Sequence, residues 1–191
     1  LDKIEQLLEQ KLFETNKKRN EYDWFEDEDN QGQIAEVYNT QNMNNATYNE
    51  NIAAGESGGN YFIQNPQPGQ TAFGKYQFIK STRQNVYKTS KELQDRYPTI
   101  NDFEEAFKGN KGKAEAVFAQ EKTMQEYTQK GEPIHHNNPI AKALYHYSPK
   151  FAQMYTQGQL NLDKRPSDYG VGKGVNNPTF KSFLKSHKII S

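Results

Sequence analysis

Apolar residues recur at helical spacing in several separate stretches of this chain. Near the start, Ile4, Leu7, Leu8 and Leu12 predict an amphipathic helix over 2–20. Four later stripes predict further helices: Phe103, Ala106 and Phe107; Ala114, Val117, Phe118, Met124 and Tyr127; Ile140, Ala143, Leu144 and Tyr147; and Phe180, Phe183 and Leu184. The pattern therefore predicts a mainly α-helical protein with at most a small β-hairpin.

Polar and turn-forming residues between these stripes indicate where the helices begin and end. Ser81 or Thr82 is suited to cap a helix that runs to about Leu93. Pro139 is suited to the first turn of a helix, where its missing N–H costs nothing. Residues 64–70 contain two prolines and a glycine and are typical of a loop.

A change of composition near residue 45 divides the chain. The acidic run 26–29 and the asparagine-rich stretch 39–45 interrupt the helical pattern and are typical of a solvated linker. We therefore predict a helical N-terminal segment with its linker over 1–45 and one main domain over 46–191. The first residue is Leu1 rather than Met, which indicates a piece of a longer protein.

Composition excludes several classes of protein. The net charge of zero favours no nucleic-acid partner, and no apolar run approaches the ~20 residues of a membrane span. Without cysteine the chain has neither disulfides nor thiol chemistry. His135 and His136, with Glu132 and His146 nearby, lack the spacing of a helical metal-binding pair. We predict no metal and no cofactor.

The most informative motif surrounds one glutamate. Residues 49–55 predict a short helix, and Glu56 follows in the run Gly-Glu-Ser-Gly-Gly-Asn-Tyr over 55–61. About twenty residues later comes a second run, Ala-Phe-Gly-Lys-Tyr-Gln-Phe over 72–78. This arrangement predicts one acid presented to a sugar chain beside a groove lined with aromatic and amide side chains.

Together the two motifs resemble the lysozyme-like family of lytic transglycosylases (SLT type), especially the forms carried in phage tail and virion proteins. Those forms have a Glu-Ser-Gly-Gly-Asn-Tyr opening and an Ala-Tyr-Gly-Lys-Tyr-Gln core. The resemblance extends over about 49–187 and includes the segments 98–103, 116–118 and 143–149. Ser148 stands where glycine is usual, and His146 stands where Asn or an aromatic residue is common. The resuscitation-promoting-factor type of the same fold is a second possibility.

The resemblance implies a fold and an activity. The fold is the multi-helix goose-type lysozyme/transglycosylase domain, and the activity is cleavage of the β-1,4 bond between N-acetylmuramic acid and N-acetylglucosamine. The partners implied are peptidoglycan glycan strands and other parts of a virion or tail assembly that acts in the bacterial envelope during genome entry. A hydrolytic lysozyme of the same fold, or a structural or glycan-binding virion domain with weak catalysis, remain alternatives.

Glu56 is the expected acid and base, since a lytic transglycosylase needs one carboxylate. No second carboxylate is equally well placed, because Asp102, Glu104, Glu105 and Asp168 are distant in sequence. Gln77 suits an N-acetyl group or the positioning of the glutamate, and Tyr145 is the expected hydroxyl beside Glu56. The residues expected on the substrate side are Ser57, Tyr76, Gln77, Phe78, Tyr145 and Tyr147.

Overall fold

The computed structural model describes residues 45–65, 69–171 and 177–191. Over these residues the chain forms eight α-helices and a short 3-10 helix. They are α1 Asn45–Ser57, α2 Lys80–Thr89, α3 Lys91–Arg96, α4 Ile100–Phe107, α5 Lys113–His135, α6 Pro139–Tyr147, α7 Pro149–Thr156, the 3-10 helix Pro166–Tyr169 and α8 Phe180–Ser186.

The mainly helical class is confirmed. In place of a hairpin, the described residues contain isolated bridges from Phe73 to Gln64 and to Phe78. The predicted N-terminal helix and the acidic run lie outside the described residues, and the domain division near residue 45 stays a prediction.

Helix α6 lies in the core and is buried almost all round. The Asn138 Oδ1 accepts a hydrogen bond from the Ala141 amide at 3.0 Å, and Pro139 occupies the first turn, which confirms its predicted place. Every residue from Pro139 to Tyr145 is buried. Helices α5 and α7 pack against it. A helix with apolar residues on every face is stable only inside a core of this kind.

The single helix predicted to end near Leu93 is two helices. Helix α2 begins after Ile79 instead of at Ser81 or Thr82. Ser90 has extended backbone and caps α3, because its Oγ accepts a hydrogen bond from the Leu93 amide at 3.3 Å. A serine that bonds the amide three residues ahead favours a new helix start over continuation of the old one.

A buried ion pair joins α2 to α4 and to the segment before α2. The Arg83 Nη2 lies 2.8 Å from the Glu104 Oε2, and its Nε donates to the same carboxylate at 3.0 Å. The Nη1 donates to the carbonyls of Thr71 and Phe78 at 2.8 and 2.9 Å. Arg83 thereby fixes both ends of the segment that carries the second motif.

Candidate functional site

Two glycines end α1 just after Glu56. Gly58 and Gly59 have φ of 63° and 81°, a region that other residues rarely adopt. Their amides donate back to the carbonyls of Ala54 and Ala53 at 3.2 and 3.0 Å, which satisfies the helix end. Glu56 lies in this last turn with its side chain 24% exposed. The carboxylate is therefore held at a fixed helix end and still reaches solvent.

Ser57 connects the end of α1 to the second motif. Its Oγ donates to the Lys75 carbonyl at 2.6 Å and lies 3.2 Å from the Ala53 carbonyl oxygen. Its hydroxyl is thus used to join two pieces of backbone.

Gln120 on α5 holds the second motif in place. Its Oε1 accepts from the Lys75 amide, and its Nε2 donates to the carbonyls of Tyr61 and Phe107, all at 2.8 Å. Gly74 has a φ of 84°, and a Cβ there would lie 2.5 Å from the Gln120 Cδ. Only a glycine allows this approach, so the motif and Gln120 depend on each other.

In the turn after Gly74, the side chains of Tyr76, Gln77 and Phe78 point in different directions. The Tyr76 hydroxyl donates to the Glu121 Oε2 at 2.7 Å, and Tyr76 does not line the groove that contains Glu56. Burial and this hydrogen bond raise the pKa of Tyr76. Gln77 has a φ of 49°, and its Nε2 donates to the Gly74 carbonyl at 2.9 Å. The buried ring of Phe78 packs edge-on against rings of α5 and α6.

These elements enclose one side of an open groove of about 630 Å³. Glu56 contributes a carboxylate to it, and the other lining residues are amides, hydroxyls, apolar side chains and one imidazole. They are Asn65, Gln70, Ala72, Gln77, Phe78, Ile79, Thr82, Tyr127, His146, Tyr147, Ser148 and Pro149. Of the seven residues predicted from sequence, Glu56, Gln77, Phe78 and Tyr147 come together here.

Tyr145 and Tyr147 leave α6 on different sides. Tyr147 lines the groove, whereas Tyr145 is buried with its ring centroid 5.7 Å from that of His135. The ring of Tyr145 also lies so close to Gly131 that a Cβ there would be 2.7 Å from its Cε1. The backbone carbonyl of Tyr145 accepts from the Tyr127 hydroxyl at 2.9 Å. Tyr145 therefore supports the groove wall from behind.

His187, just after α8, contacts Glu56 from the protein interior. Its Nε2 lies 3.3 Å from the Glu56 Oε1, and its side chain is 6% exposed. Its Nδ1 lies 2.8 Å from the Phe183 carbonyl and 3.1 Å from the Ser186 Oγ. The ring lies directly on Gly55, where a Cβ would be 2.6 Å from the His187 Cγ. Gly55 is thus a helical residue that makes room for an imidazole.

The two histidines near Glu56 have opposite pKa shifts. Burial acts to lower the pKa of His187, but Glu56 and the Phe183 carbonyl outweigh it, so that this pKa lies above its usual value. Burial lowers the pKa of His146 despite the opposing effect of Glu56. The His146 Nε2 lies 3.0 Å from the Tyr76 carbonyl oxygen, and its buried Nδ1 has no partner among the described residues. His146 is therefore the neutral imidazole and His187 the one that favours a proton.

A smaller recess of about 180 Å³ adjoins the groove at Gln70, which lines both. Three basic residues line the recess: Lys80, Arg83 and Lys108. Arg83 is paired with Glu104. Within the described part of the chain no carboxylate pairs with Lys80 or Lys108, so the recess is electropositive.

Sequence reasoning missed His187 because it lies more than a hundred residues after Glu56. One signal was present: His187 follows Phe183 by four positions and Leu184 by three, which places it on the buried face of the last helix. A histidine on such a face is more often a core residue, and the pattern could not show what it would meet.

No family model, no curated protein and no solved structure matches the chain. None of the described helices is both long and apolar enough to cross a membrane. The described residues also contain no group of three or more histidine, cysteine or acidic side chains placed to hold a metal ion.

Proposed function

We propose that this protein is a peptidoglycan lytic transglycosylase that cuts the β-1,4 bond between N-acetylmuramic acid and N-acetylglucosamine. The observation that carries the proposal is the Glu56 carboxylate in the wall of an open groove of about 630 Å³. Amides and hydroxyls in such a groove can bond sugar hydroxyl and N-acetyl groups, and aromatic rings can pack on sugar faces. The resemblance of the two motifs supports the same activity.

Glu56 would act twice in this reaction. It first gives a proton to the leaving glycosidic oxygen while positive charge develops at C1. The resulting carboxylate then removes the proton from the C6 hydroxyl of the muramic residue, whose oxygen attacks C1 and forms a 1,6-anhydro ring. Among the described residues Glu56 is the one carboxylate that lines the groove. This favours the intramolecular route over hydrolysis, in which a second carboxylate normally takes part.

Gln77 suits recognition of an N-acetyl group. Its Nε2 donates to the carbonyls of Gly74 and Ile63 at 2.9 and 3.2 Å, which fixes the orientation of the amide. The Oε1 is then the atom that can accept from an N-acetyl N–H. Tyr147, which is partly exposed, supplies ring surface in the same groove.

The setting we propose is a wall-degrading domain of a phage virion or tail protein that acts in the bacterial envelope. A second candidate is a glycan-binding virion domain with weak catalysis. The contact of Glu56 with His187 favours it, because an imidazolium whose Nε2 lies 3.3 Å from the Glu56 Oε1 would hold the carboxylate in an ion pair.

Digestion of purified sacculi followed by mass spectrometry of the products tests the proposal. We expect 1,6-anhydromuramic ends from the parent protein and a loss of about 10²–10⁴-fold for Glu56→Gln, which keeps the size of the side chain but cannot deliver a proton. The matched control is Glu105→Gln, which changes an exposed carboxylate on α4.

Each other outcome changes the proposal in a defined way. Reducible ends alone would make the protein a hydrolytic lysozyme. Binding to sacculi without any product would make it a glycan-binding domain. A folded Glu56→Gln variant that digests at the parent rate would remove Glu56 from the mechanism.

A further inference from the structure

The bonds of His187 determine where its protons are. The Phe183 carbonyl can only accept, and it lies 2.8 Å from the His187 Nδ1, so the Nδ1 carries a hydrogen. The Nε2 is buried without a hydrogen bond among the described residues and lies 3.3 Å from the Glu56 Oε1, so in a neutral ring its lone pair would be close to a carboxylate oxygen. A lone pair facing a carboxylate oxygen in a buried place is repulsive, and one proton between the two atoms removes the repulsion.

We infer that Glu56 and His187 form a dyad that holds one proton, and that this proton is the one Glu56 delivers to the glycosidic oxygen. The inference rests on the proposed function for its consequence, but the dyad itself is a property of the folded protein. His187 is a positioning residue here, because it lies behind Glu56 and does not line the groove.

The dyad holds one proton both before and after the proposed reaction. The proton moves from the His187 Nε2 to the Glu56 Oε1, and the nitrogen keeps the bonding pair as a lone pair. Glu56 then gives the proton to the glycosidic oxygen as the C1–O bond breaks and its electron pair goes to that oxygen. The carboxylate takes a proton from the C6 hydroxyl as O6 bonds to C1, and this proton returns to the Nε2. The dyad thus ends each cycle as it began.

Few other titratable groups face the dyad among the described residues. The charge of Glu56 acts to raise the pKa of three of them, His146, Tyr48 and Tyr147. Burial lowers the pKa of His146 and raises the pKa of both tyrosines, so all three are neutral near pH 7. His187 is therefore the group that can place a positive charge against Glu56.

The first test needs no substrate. NMR titration gives the pKa of His187 in the parent protein and in Glu56→Gln, with the signals of the four histidines assigned by single substitutions. We expect the pKa to fall by about one unit or more in Glu56→Gln, since an opposite charge within about 4–6 Å shifts such an equilibrium by about 1–3 units. An unchanged pKa would overturn the dyad, whether or not the protein cuts glycan.

The second test is the pH dependence of digestion of sacculi. In His187→Gln the alkaline limb of kcat/KM should move to lower pH, because the parent dyad keeps its proton up to the raised pKa of His187 and the variant lacks that imidazole. His136→Asn, at an exposed residue, is the control and should leave the limb in place.

The two tests distinguish a failure of the dyad from a failure of the proposed function. The inference would be overturned by a folded His187→Gln variant whose kcat/KM has the same alkaline limb as the parent protein. If the parent protein cuts no glycan, the proposed function fails, and the titration of Glu56→Gln still decides the dyad. If His187→Gln does not fold, the same titration decides it.

Discussion

Replacement of Gly55 by alanine tests the packing of α1 against His187. Two effects oppose each other. Alanine is better than glycine in a helix by up to about 1 kcal/mol. The new methyl would, however, lie 2.6 Å from the His187 Cγ, in a rigid ring that cannot bend aside, and overpacking of this kind costs about 1–3 kcal/mol.

The clash should win in the parent protein. We expect Gly55→Ala to lower the free energy of unfolding by about 1–2 kcal/mol and Tm by about 2–8 °C for a chain of this size. In a His187→Ala background the ring is gone, so the same substitution should stabilise by up to about 1 kcal/mol. The reversal of sign corresponds to a coupling of about 1–3 kcal/mol between the two positions.

Urea unfolding of the four proteins in this cycle measures the coupling. Ala54→Gly is the matched control, because Ala54 is the exposed neighbour on the same helix and its replacement should cost up to about 1 kcal/mol in both backgrounds. The reasoning is refuted if Gly55→Ala stabilises the parent protein, because the imidazole would then not lie on the glycine.

Arg83→Met should cost about 3–5 kcal/mol in thermal or urea unfolding, because it leaves the Glu104 carboxylate buried and unpaired, and a further Glu104→Leu change should recover part of that loss. Gln at both Lys80 and Lys108 should weaken binding to sacculi in a pull-down at low salt, and the difference should shrink as salt rises and screens the charges; no difference at low salt would argue against an acidic ligand in the recess. Deletion of 1–40 should leave the product type unchanged by mass spectrometry, since the described residues that line the groove all come later in the chain; a folded truncation that binds glycan without cutting it would move the domain boundary.

The features that sequence predicted best depend on neighbours in the chain. Pro139 at the start of α6 and Glu56 at the end of α1 follow from local rules about helix ends, and the structure places both as expected. Ser90 is a local feature too, but its capping role competes with the helical pattern on both sides, and the pattern alone favoured one continuous helix.

The features that sequence could not predict depend on contacts between distant segments. The direction of Tyr145 is set by the space that Gly131 leaves for its ring, and the environment of Glu56 is set by His187. Neither contact produces a repeating pattern in the sequence, because each depends on one pair of residues that are far apart in the chain. A glycine inside a helix, such as Gly55, is the type of local anomaly that marks such a contact.

The bonds of Gln120 limit where the second motif can be used. Because the side chain of Gln120 bonds to Lys75, Tyr61 and Phe107 at once, the turn at Gly74 depends on α4 and α5 being in place. The motif is therefore not a portable unit: transplanted into another helical scaffold without a matching glutamine, it would lose the partner of the Lys75 amide. A search for other chains of this kind should pair the glycine of the motif with a glutamine 46 positions later, as Gly74 and Gln120 are paired here.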